Sequence, residues 1–151
     1  MAEHRALDAE GKAALWQQVA EVDHRNTAAL KAIIAEHGWP GRSLVGEGGT
    51  DMAWAIAQHA DDDPAFQRAV LARMEPLLGT GEIDPSQHAY LHDRVAVAEG
   101  RPQRFGTQFS DGVHPAPIED EAHVDDRRAS VGLSSMAAYQ EEMRQINASK
   151  S

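Results

Sequence analysis

The longest regular pattern in the chain steps by four and three through Leu15, Val19, Val22, Asn26, Leu30, Ile33 and His37. That spacing lays one stripe along a helix of about eight turns spanning residues 8 to 37. Asn26 interrupts the stripe and Asp23 lies one turn back on its flank. Gly38-Trp39-Pro40-Gly41 stops the helix, with Gly38 at the position that tolerates a left-handed backbone. So long a helix commits the fold to helix packing. The rest of the composition agrees: 42% of residues are hydrophobic but only 5% aromatic, so the core must be mainly aliphatic.

Further helix starts are written in the same local code. Thr50 or Asp51 can cap a helix carrying Trp54, Ile56, Gln58 and His59. Asp63-Pro64 and Asp84-Pro85 each place a capping carboxylate ahead of a proline at the first helical position. Phe66, Val70, Leu71, Met74 and Leu78 form the apolar face after the first, which Pro76 should bend near its end. Leu91, Val95 and Ala98 form the face after the second. Asp120 opens a short helix through Val131, Gly132 closes it, and Ser134 caps a last helix with Met136, Tyr139, Met143 and Ile146. Between these helices the period changes. Phe105, Thr107 and Phe109 alternate with Arg104, Gly106 and Gln108, which reads as a strand, and Val113 to Ile118 as its return after Ser110-Asp111-Gly112. The expected fold is mainly α: a single domain of about six helices with one small β-hairpin near residues 104–118, and frayed tails at 1–7 and 147–151.

Charge and residue usage exclude several functions. With 14 basic and 24 acidic residues the formal net charge is −10, which repels phosphate backbones and argues against a nucleic-acid partner. The absence of cysteine rules out disulfides, thiolate metal sites and a thiol nucleophile. No apolar run reaches the length of a bilayer span, and Met1 to Glu10 has no signal-peptide core, so a cytoplasmic protein is expected. Gly46-Glu47-Gly48-Gly49 lacks the Lys-Ser or Lys-Thr of a phosphate loop, and Ser43, Ser110 and Ser130 lack a nucleophile-elbow setting. His88 and His92 have the spacing for two imidazoles on one metal, but no third ligand stands at a specific distance. Neither a metal nor a cofactor is expected.

Polar residues remain on faces that read as buried. Met52, Ile56 and His59 share a stripe, which turns His59 inward, while Gln58 points about 100° away. His59 is either a general base, since imidazole titrates near neutrality, or a neutral structural histidine. Arg94, on the shoulder of the Leu91–Val95 face, can fork onto a substrate carboxylate or phosphate, or pair internally with Asp23 or Asp93. Arg127 and Arg128 offer a second anion contact or merely local ion pairs with Asp125 and Asp126. Gln103 and Gln108 can read a polar ligand because an amide both donates and accepts.

As a set, these landmarks resemble an uncharacterised bacterial domain-of-unknown-function family frequent in actinobacteria. They are Asp23 with Asn26, Gly38-Trp39-Pro40, Val45-Gly46, Trp54 through Gln58-His59-Ala60-Asp61, and Asp93-Arg94-Val95. Gly100, Gln103, Phe105-Gly106-Thr107-Gln108, Asp126-Arg127-Arg128 and Gly132-Leu133 complete them. Members carry tyrosine more often where Phe105 stands, and His88 and His92 lie outside the pattern. The resemblance implies no activity, only that the polar landmarks form one unit. The expectation is a polar pocket for a small polar or anionic molecule. In it His59 moves a proton, an arginine holds the ligand, Gln58, Gln103, Gln108, Asp23 and Asn26 line it, and the chemistry is hydrolysis, elimination or isomerisation. The alternative is a non-catalytic acidic protein, such as an immunity factor, engaging a basic protein partner.

Overall fold

A computed structural model describes residues 8–150. It contains six α-helices: α1 (Ala9–His37), α2 (Arg42–Gln58), α3 (Pro64–Met74), α4 (Pro85–Ala98), α5 (Val124–Ser130) and α6 (Met136–Ser149). The expected frayed segment 1–7 lies outside the described residues, and α6 continues two residues past Asn147. None of the described helices is long and apolar enough to cross a membrane.

The local signals act where the chain itself supplies the partner. The Asp8 carboxylate accepts from Gly11 N–H and starts α1, and Gly38, at φ 76°, ends it. Asp63 and Asp84 cap α3 and α4 with proline following each. After Met74 the chain tightens into a single 3-10 turn, Glu75–Leu77, around Pro76. A similar turn, Glu121–His123, leads into α5, and Ser135 rather than Ser134 caps α6.

Helix α2 begins at Arg42, well before the expected caps at Thr50 or Asp51, and kinks at Gly46 (φ 75°, ψ 172°). Its cap is tertiary. Gly41 has no side chain to offer, and Glu82 takes its place: the carboxylate accepts from Ser43 N–H and Oγ, and the carbonyl accepts from Arg42 N–H. Thr50 is buried inside the helix.

The core lies among α1 to α4. Leu30, Trp39, Ala53, Ala57, Ala60, Phe66, Val70, Met74, Ile83, Leu91 and Val95 form one buried cluster. Alanines on α2 (Ala53, Ala57) and α4 (Ala89, Ala96) are buried, so these contacting helices carry little side-chain bulk on their inner sides. One expectation about faces is corrected here. On α2 the inward side is Thr50, Ala53, Ala57 and Gln58, while Met52 and His59 are exposed. On α1 only Thr27 and Leu30 are buried, and residues 12–22 are all exposed. Only the second half of α1 packs on the domain. There His24 pairs with Asp62 and Lys31 with Asp63.

The hairpin does not form. Residues 101–120 contain two isolated bridges, Gln103 with Ile118 and Phe109 with Pro115, and no sheet occurs among the described residues. The cause is competition for backbone hydrogen bonds. The buried Asp93 carboxylate takes the N–H groups of Arg104, Phe105 and Thr107, and Gln103 Oε1 takes that of Gln108. Pro115 and Pro117 have none to give. Alternation along 104–109 therefore reflects side-chain anchoring, with no ladder behind it.

Candidate functional site

The two residues of the Asp93-Arg94 pair diverge, as neighbours on a helix must. Asp93 is fully buried and organises the 103–108 segment, with Thr107 Oγ1 donating to it at 2.9 Å. Arg94 lies half-buried on the adjoining face. Its Nε and Nη2 donate to both oxygens of Asp61 at 2.7 and 2.5 Å, a fork-on-fork pair, and Nη1 reaches Gln108 Oε1 at 3.5 Å. This answers which acid Arg94 meets: Asp61, in place of Asp23 or Asp93. The pair holds the Asp61 carboxyl below its usual range, aided by a bond from Gln67 and the nearby charge of His59. The same contact raises Arg94.

One turn from Arg94 on α4 is Tyr90, and one turn from Gln58 on α2 is Trp54. The two helices meet through these residues: Trp54 sits edge-on to Tyr90 with ring centroids 6.1 Å apart. Tyr90 Oη donates to Tyr139 Oη, and Tyr139 Oη to the Thr107 carbonyl, each at 3.4 Å. Gln108 Nε2 donates to Thr107 Oγ1. Trp54, Asp61, Tyr90, Arg94, Gln108 and Tyr139 thus form a polar seam where α2, α4, α6 and the 103–108 segment come together, with Gln58 one turn from Trp54 on α2. Burial pushes the Tyr139 hydroxyl well above the ordinary phenol range, which keeps it a neutral donor.

Two buried groups in the last two turns of α2 have no hydrogen-bond partner among the described residues: Trp54 Nε1, a donor, and Gln58 Oε1, an acceptor. Each such group costs about 1–3 kcal/mol when left unmet. Four residues apart on one helix, they present a donor and an acceptor on the same side.

The other sequence candidates go elsewhere. Arg128 is buried and donates to the Ser134 and Phe105 carbonyls, with its guanidinium carbon 4.8 Å from the Tyr139 ring centre. Burial lowers its pKa. Arg127 donates to the carbonyls of Arg104, Glu119 and Asp120. Gln103, fully buried, donates to the carbonyls of Gln108 and Ala116. These three side chains brace the irregular segment. His59, exposed at the end of α2, lines a separate hollow of about 150 Å³ with Asp23, Asn26, Met52, Ala55 and Ile56. No arginine lines that hollow. Asp61 connects the two places, bound to Arg94 on one side and sensing His59 on the other.

Sequence reading missed Asp61 as the partner of Arg94, and Trp54, Tyr90 and Tyr139 as seam residues. The available signal was spacing: Trp54 with Gln58 and Tyr90 with Arg94 are both i, i+4 pairs. His88 and His92 fall on another side of α4, lining a cavity of about 420 Å³ with Arg68, Glu75, Glu99 and Arg101.

No curated protein and no solved structure matches the chain. Residues 5–150 match the model of DUF6624, a family of unknown function, and the chain belongs to that family.

Proposed function

We propose that the seam between α2 and α4 binds a small polar molecule and that His59, linked to the seam through Asp61, moves a proton in that molecule's turnover. The observation that carries this reading is the unmet donor–acceptor pair, Trp54 Nε1 and Gln58 Oε1, one turn apart. A ligand offering an acceptor and a donor at matching separation, such as an amide, a urea or a vicinal diol, removes both penalties at once.

The charges favour a neutral ligand over an anionic one. Arg94 is already matched by Asp61, while Arg127 and Arg128 are spent on backbone carbonyls. An anion at Arg94 would have to displace Asp61 against a net charge of −10. Arg94 and Gln108 then orient the ligand. Proton transfer by His59 suits hydrolysis, elimination or isomerisation.

Thermal-shift screening with neutral and anionic metabolites, followed by turnover assays, tests the proposal. Neutral hits should lose their shift in Trp54→Phe and Gln58→Met, and His59→Ala should abolish turnover while retaining the shift. Hits that bind equally well in both seam variants, or turnover indifferent to His59→Ala, would refute it. The acidic-protein alternative rests on the −10 charge. It predicts a basic protein partner whose affinity falls steeply with salt, read by pull-down at two ionic strengths.

A further inference from the structure

We infer that the exposed stripe of α1 is a two-stranded, parallel dimerisation surface whose occupant is a second copy of this chain. Leu15, Val19, Val22, Asn26, Ala29 and Ile33 alternate four and three apart, the heptad spacing of a coiled-coil seam. Of the core-facing residues of α1, Leu30 borders this stripe and Thr27 lies farther round, and neither takes an a or d position. Assigning the heptad places Val19, Asn26 and Ile33 at the a positions and Leu15, Val22 and Ala29 at d. Branched a residues with leucine at d favour two strands, and a single asparagine at a fixes parallel register by meeting its own copy.

The area is sufficient. Leu15 is 49% exposed, Trp16 71% and Met52 66%, and Val19, Val22, Ile33, Leu44 and Val45 are also exposed. Together these exposed side chains present on the order of several hundred Å² of apolar surface per copy, the scale of the ~800 Å² each partner contributes to a standard interface. Monomeric proteins seldom leave so large a patch open. An apolar groove beside the stripe, lined by Asn26, Ile33, Val45, Met52 and Ile56, lets α2 of each copy flank its partner's α1. The six stripe residues carry no charge, whereas the chain as a whole carries −10. Screening therefore tightens this association, opposite to the salt response of an acidic protein on a basic partner.

Sedimentation equilibrium on the full chain should give twice the 16.4 kDa mass, with the dimer favoured as salt rises. Val22→Glu is expected to weaken dimerisation on the order of 100-fold while far-ultraviolet dichroism stays helical, because Val22 is exposed in the single copy. The chain has no cysteine, so Val19→Cys reports geometry directly. Parallel pairing brings the two thiols together and gives a disulfide-linked dimer under mild oxidation. A monomer at every accessible concentration, as expected if another chain or residues 1–7 cover the stripe, would overturn the inference. So would a dimer indifferent to Val22→Glu, or one whose Val19→Cys form does not cross-link.

Discussion

Asp93→Asn tests whether one carboxylate holds the irregular half of the molecule. Oδ1 of Asp93 accepts from the N–H groups of Arg104 and Phe105, and Oδ2 from Phe105 N–H, Thr107 N–H and Thr107 Oγ1. The amide replaces one of these oxygens with a donor, so at least two donors face a donor whichever way it settles. Hydrogen bonds to a charged acceptor are worth about 1.5–3 kcal/mol each, and Asp93 is fully buried, so no solvent compensates. The expected loss is about 3–5 kcal/mol, a large part of the ~5–15 kcal/mol that stabilises a domain. Urea unfolding followed by circular dichroism measures it. The midpoint should fall with little change in slope, and the amides of Arg104, Phe105 and Thr107 should exchange early. Asp61→Asn is the control: that carboxylate is largely solvent-exposed and its pair with Arg94 is worth less than about 1 kcal/mol to folding. An Asp93→Asn loss no greater than the control would refute the anchoring argument.

Burial and the neighbouring His92 hold the His88 pKa below its usual value, although Glu75 opposes them. The unfolded chain then takes up a proton at a higher pH than the folded one. Stability is full above the ordinary imidazole range and lost as pH falls through it. His88→Gln should flatten the melting temperature between about pH 7 and 5 relative to wild type, and parallel curves would contradict the assignment. Gly106→Ala should cost about 1–3 kcal/mol. Its φ is 66°, and a Cβ there would lie 2.5 Å from Met136 Sδ and 3.2 Å from Ile118 Cδ1. Gly48→Ala, with nothing within 4 Å of its Cβ and a place inside α2, should instead stabilise by about 0.5–1 kcal/mol in the same urea assay.

Where the helices begin and end was mostly legible from sequence, because those events are settled within a turn of chain. Asp8, Asp63 and Asp84 cap helices that follow at once, and Gly38 ends α1 by adopting a backbone other residues resist. The exception is α2, whose cap comes from Glu82, about forty residues on, and which therefore starts where no local signal stands. The family resemblance was equally a property of the sequence, since spaced landmarks can be read without knowing what they touch.

Which face of a helix turns inward is a different kind of question. Periodicity finds a stripe but cannot say whether the stripe meets this chain's core or solvent. On α1 and α2 the more hydrophobic stripes face outward, while smaller residues such as Thr27, Ala53 and Ala57 face the core. His59 followed its stripe to the surface, and Gln58 took the buried position. The sequence offered these polar residues as one group, but their duties depend on partners far along the chain. Asp61 meets Arg94 across 33 positions, and Arg128 meets the Phe105 carbonyl across 23. Such pairings exist only once helices have docked, since each desolvated charge or amide takes whatever complement the packing brings within 3 Å or so. The sequence alone therefore determined a set of capped helices and a set of polar landmarks. The tertiary structure decided which landmarks brace the 101–120 segment, which line the seam, and which apolar stripe stays open.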